Sequence, residues 1–124
     1  MKPIVLIFIG GGLGSVVRYL LHRWVTAVHQ INFPLGTLAV NVVACFVLGL
    51  IIGLADHKQY LSPDTRMFWA IGFCGGFSTF STFSAETLAL FQQPAVVTGL
   101  VYILASVLLC LGAVVTGMWL GRLG

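Results

Sequence analysis

Residues 72–86 read GFCGGFSTFSTFSAE. Two adjacent glycines, five hydroxyl side chains within seven residues and the carboxylate of Glu86 stand between Ile71 and the apolar run Leu88 to Phe91. The rest of the chain makes this polar island conspicuous. Of 124 residues, 59% are apolar and 7% charged, and the mean hydropathy is +1.06. A soluble domain carries about 25% charged residues, so six Lys/Arg and three Asp/Glu cannot clothe a surface facing water. The solvent of this chain is lipid. An apolar run of about 20 residues crosses a bilayer as a helix, and four such runs fit, at about 4–28, 35–55, 67–91 and 95–120. The expected fold is all-α and integral to the membrane: one four-helix transmembrane domain over residues 1–124, multi-pass, with the third helix broken near its middle.

The punctuation agrees. Pro3, Pro34, Pro63 and Pro94 each precede an apolar run, as suits a residue favoured at the first helical position. Ser62-Pro63-Asp64 adds a capping hydroxyl and an acid at the positive helix end. Lys2 before an apolar stretch resembles a signal peptide, but three more spans follow without a convincing cleavage site, so the first run is expected to be a membrane helix. Connections fall at 29–33, 56–66 and 92–93. Both termini then lie on one face, with Lys2, Lys58, Arg66 and Arg122; Arg23 and the deeper Arg18 lean to the other. Four cations against two is a weak positive-inside bias. It suits a chain that inserts in both orientations, and equally an ordinary one with both ends inside.

Each span holds a G-x-x-x-G, at Gly10/Gly14, Gly49/Gly53, Gly72/Gly76 and Gly117/Gly121, which allows close helix approach in lipid. Cys45, Cys74 and Cys110 are odd in number and form no C-x-x-C, so they read as small packing residues. A formal charge of +3, scattered along the chain, excludes a nucleic-acid binder.

Polar groups inside the membrane need a reason, because a charge at its centre costs at least about 2.5 kcal/mol. Arg18, Glu86 and the neutral Asn41 are such groups. Gly75-Gly76 is the expected place of the helix break, since glycine adopts non-helical dihedrals at little steric cost; the same pair would also serve simple close packing. A break frees backbone groups that lipid cannot satisfy, so it must face protein, water or an ion, and an oligomer would supply the burial. Beyond the pair, Phe77, Phe80 and Phe83 repeat every three residues, as do Ser78, Ser81 and Ser84, with Thr79 and Thr82 between them. On a helix these rows form drifting stripes, which line a polar path unless the hydroxyls simply bond back to their own helix. Asn41 offers two donors and an acceptor, for helix–helix adhesion or for a pore. Tyr102, Ser106 and Cys110, four apart, share one face. With no nucleophile–base pair, phosphate loop or metal cluster visible, the chain is not expected to be an enzyme.

Three stretches, GGGLGSVVRY at 10–19, PLGTLAVN at 34–41 and above all GFCGGFSTFSTFSAE at 72–86, make the chain resemble the small fluoride channels called Fluc or CrcB over nearly its whole length. The resemblance implies an antiparallel homodimer of dual topology in the inner (plasma) membrane, with two narrow fluoride pores. It also implies a structural Na⁺ on the two-fold axis, held by backbone carbonyls that fall on Gly75 and Ser78. Carried over by motif, Phe80 and Phe83 are the pore phenylalanines and Asn41 the pore amide; Thr79, Ser81, Thr82, Tyr102 and Ser106 complete the expected pore, with Thr37, Arg18 and Glu86 in support. The family usually has Thr where Ser78 stands, which a backbone ligand tolerates, and a small polar residue where Cys110 puts a weaker thiol donor. The chemistry is coherent. A pore for strongly hydrated fluoride must replace water with N–H and O–H donors, a phenyl ring has a positive edge to offer an anion, and weak repeated sites let the ion leave. The expected function is passive export of fluoride from the cytoplasm, relieving its toxicity. The alternative is a proton-coupled small multidrug exporter, which needs a carboxylate in its first span, where this chain has Arg18. The expected partners are a second copy of the chain, fluoride and membrane lipid.

Overall fold

The computed structural model describes residues 1–58 and 61–124. Residues 59 and 60, in the expected 56–66 connection, and the side chains of His57 and Lys58 lie outside the described residues. The order is α1 (Lys2–Val28), α2 (Leu35–Lys58), then a composite third span of α3 (Pro63–Arg66), a π-helical stretch (Met67–Cys74), α4 (Gly75–Phe77) and α5 (Phe80–Gln92), and finally α6 (Val96–Leu123). Proline stands in the first turn of α1 and of α3, and Ser62 Oγ accepts the Thr65 N–H at 3.2 Å as the cap of α3. Among the described residues, α1, residues 35–56 and α6 are each long and apolar enough to cross a membrane. The third apolar run is divided into two helical halves at Ser78 and Thr79. The chain is a multi-pass integral membrane protein.

Two glycine-lined seams assemble the bundle, each between parallel helices. In the first, α1 lies on the first half of the third span. A Cβ on Gly10 would run into the Phe68 carbonyl, one on Gly14 into the Phe73 carbonyl, and one on Gly76 into the Gly11 carbonyl. In the second, α2 lies on α6. A Cβ on Gly49 or Gly53 would strike the carbonyl of Val114 or Met118, and one on Gly117 or Gly121 that of Phe46 or Leu50. Backbone-to-backbone approach is what small residues one turn apart permit in lipid, where no hydrophobic force joins helices. The four G-x-x-x-G pairs therefore serve contacts within the chain. A small core of Val40, Ala44 and Phe77, flanked by Leu21 and Phe73, lies where α1, α2 and α4 meet.

The break falls three residues beyond the expected place. Gly75 has right-handed helical dihedrals (φ −64°, ψ −40°). Extended backbone occurs instead at Ser78 (φ −74°, ψ 156°) and Thr79 (φ −148°, ψ 111°). Both are conformations that any L-residue adopts, so glycine's freedom is not what breaks this helix. Thr79 restarts it by N-cap chemistry: its Oγ1 accepts the Thr82 N–H at 3.2 Å, as a cap hydroxyl should. Gly76 serves close packing on Gly11, whereas nothing lies within 4 Å of a Cβ built on Gly75. The continuous Phe and Ser stripes are overturned by the same shift, since extended backbone intervenes. Phe77 is buried at 2% exposure, while Phe80 stands out at 78%.

This packing is testable within one helix. Gly117→Ala meets backbone, whereas Gly112→Ala meets nothing within 4 Å. We expect Gly117→Ala to lower unfolding stability in detergent by about 1–3 kcal/mol, the range for overpacking, with Gly112→Ala near wild type. Equal effects would mean that the α2–α6 seam is not close-packed.

Candidate functional site

The break redistributes backbone hydrogen bonds in a specific way. In a continuous helix the Thr79 N–H would go to the Gly75 carbonyl, four residues back. It goes instead to Asn41 Oδ1 at 2.8 Å, and Asn41 Nδ2 donates to the Thr79 carbonyl at 3.1 Å. Likewise the Thr82 N–H, due to the Ser78 carbonyl, goes to Thr79 Oγ1. The carbonyls of Gly75 and Ser78 thus lose their helical donors; the family resemblance named the same two as cation ligands. Their neighbours are served: Cys74 O accepts both N–H and Oγ–H of Ser78 at 2.9 Å, and Gly76 O accepts from Ser15 Oγ at 3.3 Å.

Two cavities flank Thr79. One, of about 250 Å³, is lined by Asn41, Cys45, Ser78, Thr79, Phe80, Phe83, Ser106, Val107 and Cys110. The rings of Phe80 and Phe83 lie 5.5 Å apart, and Phe83 leans on Tyr102 at 5.1 Å. Ser106 Oγ is the one buried side-chain polar atom without a partner among the described residues. Such an orphan costs about 1–3 kcal/mol unless a water or an ion completes it. No acid lines this cavity. The other, of about 240 Å³, is lined by Ser15, Arg18, Tyr19, His22, Thr37, Val40, Thr79 and Thr82. Thr79 belongs to both, and its hydroxyl donates to Thr82 Oγ1 at 2.9 Å and reaches Ser81 Oγ at 3.4 Å.

Glu86 is tied down beside these cavities. Its Oε1 accepts from Thr37 Oγ1 and its Oε2 from the Tyr102 hydroxyl, both at 2.8 Å, and His22 Nε2 stands 4.0 Å from Oε1. Four spans meet at this carboxylate. Hydrogen-bond donors, rather than a facing cation in contact, satisfy it, as burial of a charge requires.

Of the expected site residues, Asn41, Thr79, Phe80, Phe83 and Ser106 come together around the first cavity, with Cys110. Arg18, Thr37 and Thr82 gather at the second. Ser81 is exposed beside them. Tyr102 is fully buried and offers its ring to Phe83 and its hydroxyl to Glu86, so it walls the cavity from behind. Sequence reading passed over His22, Ser15 and Cys45. His22, one turn after Arg18 on the same helix face, was the one whose position carried a signal.

The profile of the family described as CrcB-like protein, Camphor Resistance (CrcB) matches residues 5–118. The chain belongs to the CrcB family. Relatives named fluoride-specific ion channel FluC align along nearly their full length. The one from Hahella chejuensis is 45% identical over 97% of this chain and 94% of its own. The Rhizobium etli protein is 43% identical over 98% of each, and the Phocaeicola vulgatus protein 42% identical over 98% of this chain and all of its own.

If the Asn41 amide holds the break, Asn41→Leu strands both backbone groups of Thr79. The expected loss is about 1–3 kcal/mol for each unpaired group. Thr79→Val, which removes only a cap, should cost about 0.5–2 kcal/mol. Unfolding titrations in detergent compare the two; a smaller loss for Asn41→Leu than for Thr79→Val would show that the amide is not the clamp.

Proposed function

We propose that this CrcB-family chain is a fluoride-selective channel that lets fluoride leave the cytoplasm passively across the inner membrane. The observation that carries the reading is the cavity with a donor in excess: Ser106 Oγ without a partner, facing Asn41 and the Phe80–Phe83 pair, with no carboxylate in its lining. A small anion arriving there exchanges water for O–H, N–H and positive ring edges. The Arg18 cavity, one step away through Thr79, draws anions toward the path by its charge. The rival exporter needs a free titratable carboxylate. Glu86, the acid away from the span ends, is engaged by Thr37 and Tyr102, and the relatives are named as fluoride channels. The protein is a channel, not an enzyme.

The pore is completed by a second, antiparallel copy. Supporting this, Phe80 is largely exposed on a single chain, Gly75 presents a side-chain-free surface, and the Phe80–Phe83 cavity opens outward. A structural Na⁺ fits the same reading. The two carbonyls deprived of helical donors, Gly75 and Ser78, supply hard oxygen ligands, and a two-fold axis would bring in the same pair from the partner. Bound there, the ion would supply the positive charge that the break lacks. Ser78→Thr should leave this site intact, because the ligand is backbone. Density on the dimer axis between these carbonyls is the expected result, and an axis filled by side chains or lipid would remove the ion.

Purified protein in liposomes should release fluoride and retain chloride. Phe80→Ile or Phe83→Ile should reduce fluoride flux about tenfold or more, a loss of at least ~1.4 kcal/mol, while the dimer persists. Equal fluoride and chloride flux, or proton-driven drug uptake without fluoride release, would overturn the channel. Cysteines introduced at 92–93 should label from both sides of the membrane; labelling from one side alone would refute dual insertion.

A further inference from the structure

The α2–α6 seam has a register that the channel reading does not use up. Gly49 meets Val114 and Gly53 meets Met118, so these parallel helices keep step turn by turn. Stepping toward their N-termini by one turn each, the same register pairs Cys45 with Cys110, then Asn41 with Ser106, then Thr37 with Tyr102. The outermost pair converges on Glu86, to which both hydroxyls donate, and Asn41 and Ser106 line one cavity. Cys45 and Cys110 line that cavity too, so the register and the lining place both thiols at one level of the same space. Both are free and only partly buried. Cys74, the third cysteine, is buried on the other side of Cys45, in a separate cavity with Gly75 and Ser78. Cysteines far apart in sequence are thus brought to a single turn of α2, and two of them face the same open space.

From this placement we propose that Cys45 and Cys110 form a two-thiol site for a soft, thiophilic cation inside the conduction cavity, and that a cation held there arrests fluoride flux. The proposal rests on the channel reading for its consequence and not for its chemistry. Soft metals such as Cu(I) and Hg(II) select thiolate sulfur, and closed-shell ions of this kind are content with two sulfur ligands in line. Binding breaks two S–H bonds and forms two metal–sulfur bonds, and both protons pass to solvent. No oxidant is required. A bound cation one helical turn from Asn41 and Ser106, about 6 Å along the axis, occupies the space that fluoride must cross.

The probe is Hg²⁺, challenged by an excess of a monothiol, which strips mercury from single cysteines more readily than from a chelating pair. Two readouts are taken on the purified dimer: mercury retained per chain, by mercury–sulfur ultraviolet absorbance, and fluoride efflux from liposomes relative to each variant's own metal-free rate. Wild type should retain one Hg²⁺ per chain and lose at least tenfold in efflux, recovering with a dithiol chelator. Cys45→Ala and Cys110→Ser should each lose retention and inhibition. Cys74→Ala should keep both. Retention that survives loss of Cys45 or Cys110, or that vanishes with Cys74, would overturn the site. Retention without inhibition would overturn the block while leaving the site, and absence of efflux even without metal would count against the channel reading alone.

Discussion

Two hydrogen bonds between the amide of Asn41 and the backbone of Thr79 hold the rest of this structure in place. A helix interrupted inside a membrane exposes N–H and C=O groups where no water can take them. The Asn41 amide answers both groups of one residue at once, and it does so from α2, a separate and continuous helix. By taking the Thr79 N–H it also frees the Gly75 carbonyl. Thr79 then frees the Ser78 carbonyl by capping α5. One side chain thus fixes where the helix stops, how the second half restarts and which carbonyls lose their helical donors.

The glycine seams explain why that amide reaches its target. Asn41 sits two turns before Gly49 on α2, so its height is set by backbone contact with α6. Thr79 sits just after Gly76, whose packing on Gly11 sets the height of the third span against α1. Backbone-to-backbone packing has little slack, because interiors are close-packed. Polar positioning at the break therefore depends on apolar contacts far along both helices. The same economy governs Glu86: Thr37 and Tyr102 converge on it because the α2–α6 register places them side by side.

Much of this was legible in the sequence. Composition and the four prolines gave the spans to within a few residues, and the G-x-x-x-G pairs gave the tight seams. The broken third span followed from the residues at 72–86, while Asn41, Phe80 and Phe83 were joined by the family resemblance and Ser106 by its place on the fourth-span face. The position of the break did not. Gly75-Gly76 looked like the weak point because propensity is local, yet the break is decided by a partner on another helix and by a cap hydroxyl at Thr79. A competing donor or acceptor elsewhere in the bundle leaves no mark in the local pattern. The same holds for Glu86, whose partners lie on other spans, and for Cys45, which looks like filler until the α2–α6 register sets it beside Cys110.

The distribution of hydrogen bonds also separates the polar groups by role. Asn41, Thr79, Thr37, Tyr102 and Glu86 satisfy one another, so they carry structure at fixed positions. Ser106 Oγ does not, and it keeps a donor to spare. An anion is the natural acceptor for a lone hydroxyl in a lining without acids, since a buried carboxylate would repel it and a second protein acceptor would already have filled the place. The network around Glu86 holds helices together. By occupying both carboxylate oxygens, the hydroxyls of Thr37 and Tyr102 tie this acid to α2 and α6 at once and fix its place in the bundle.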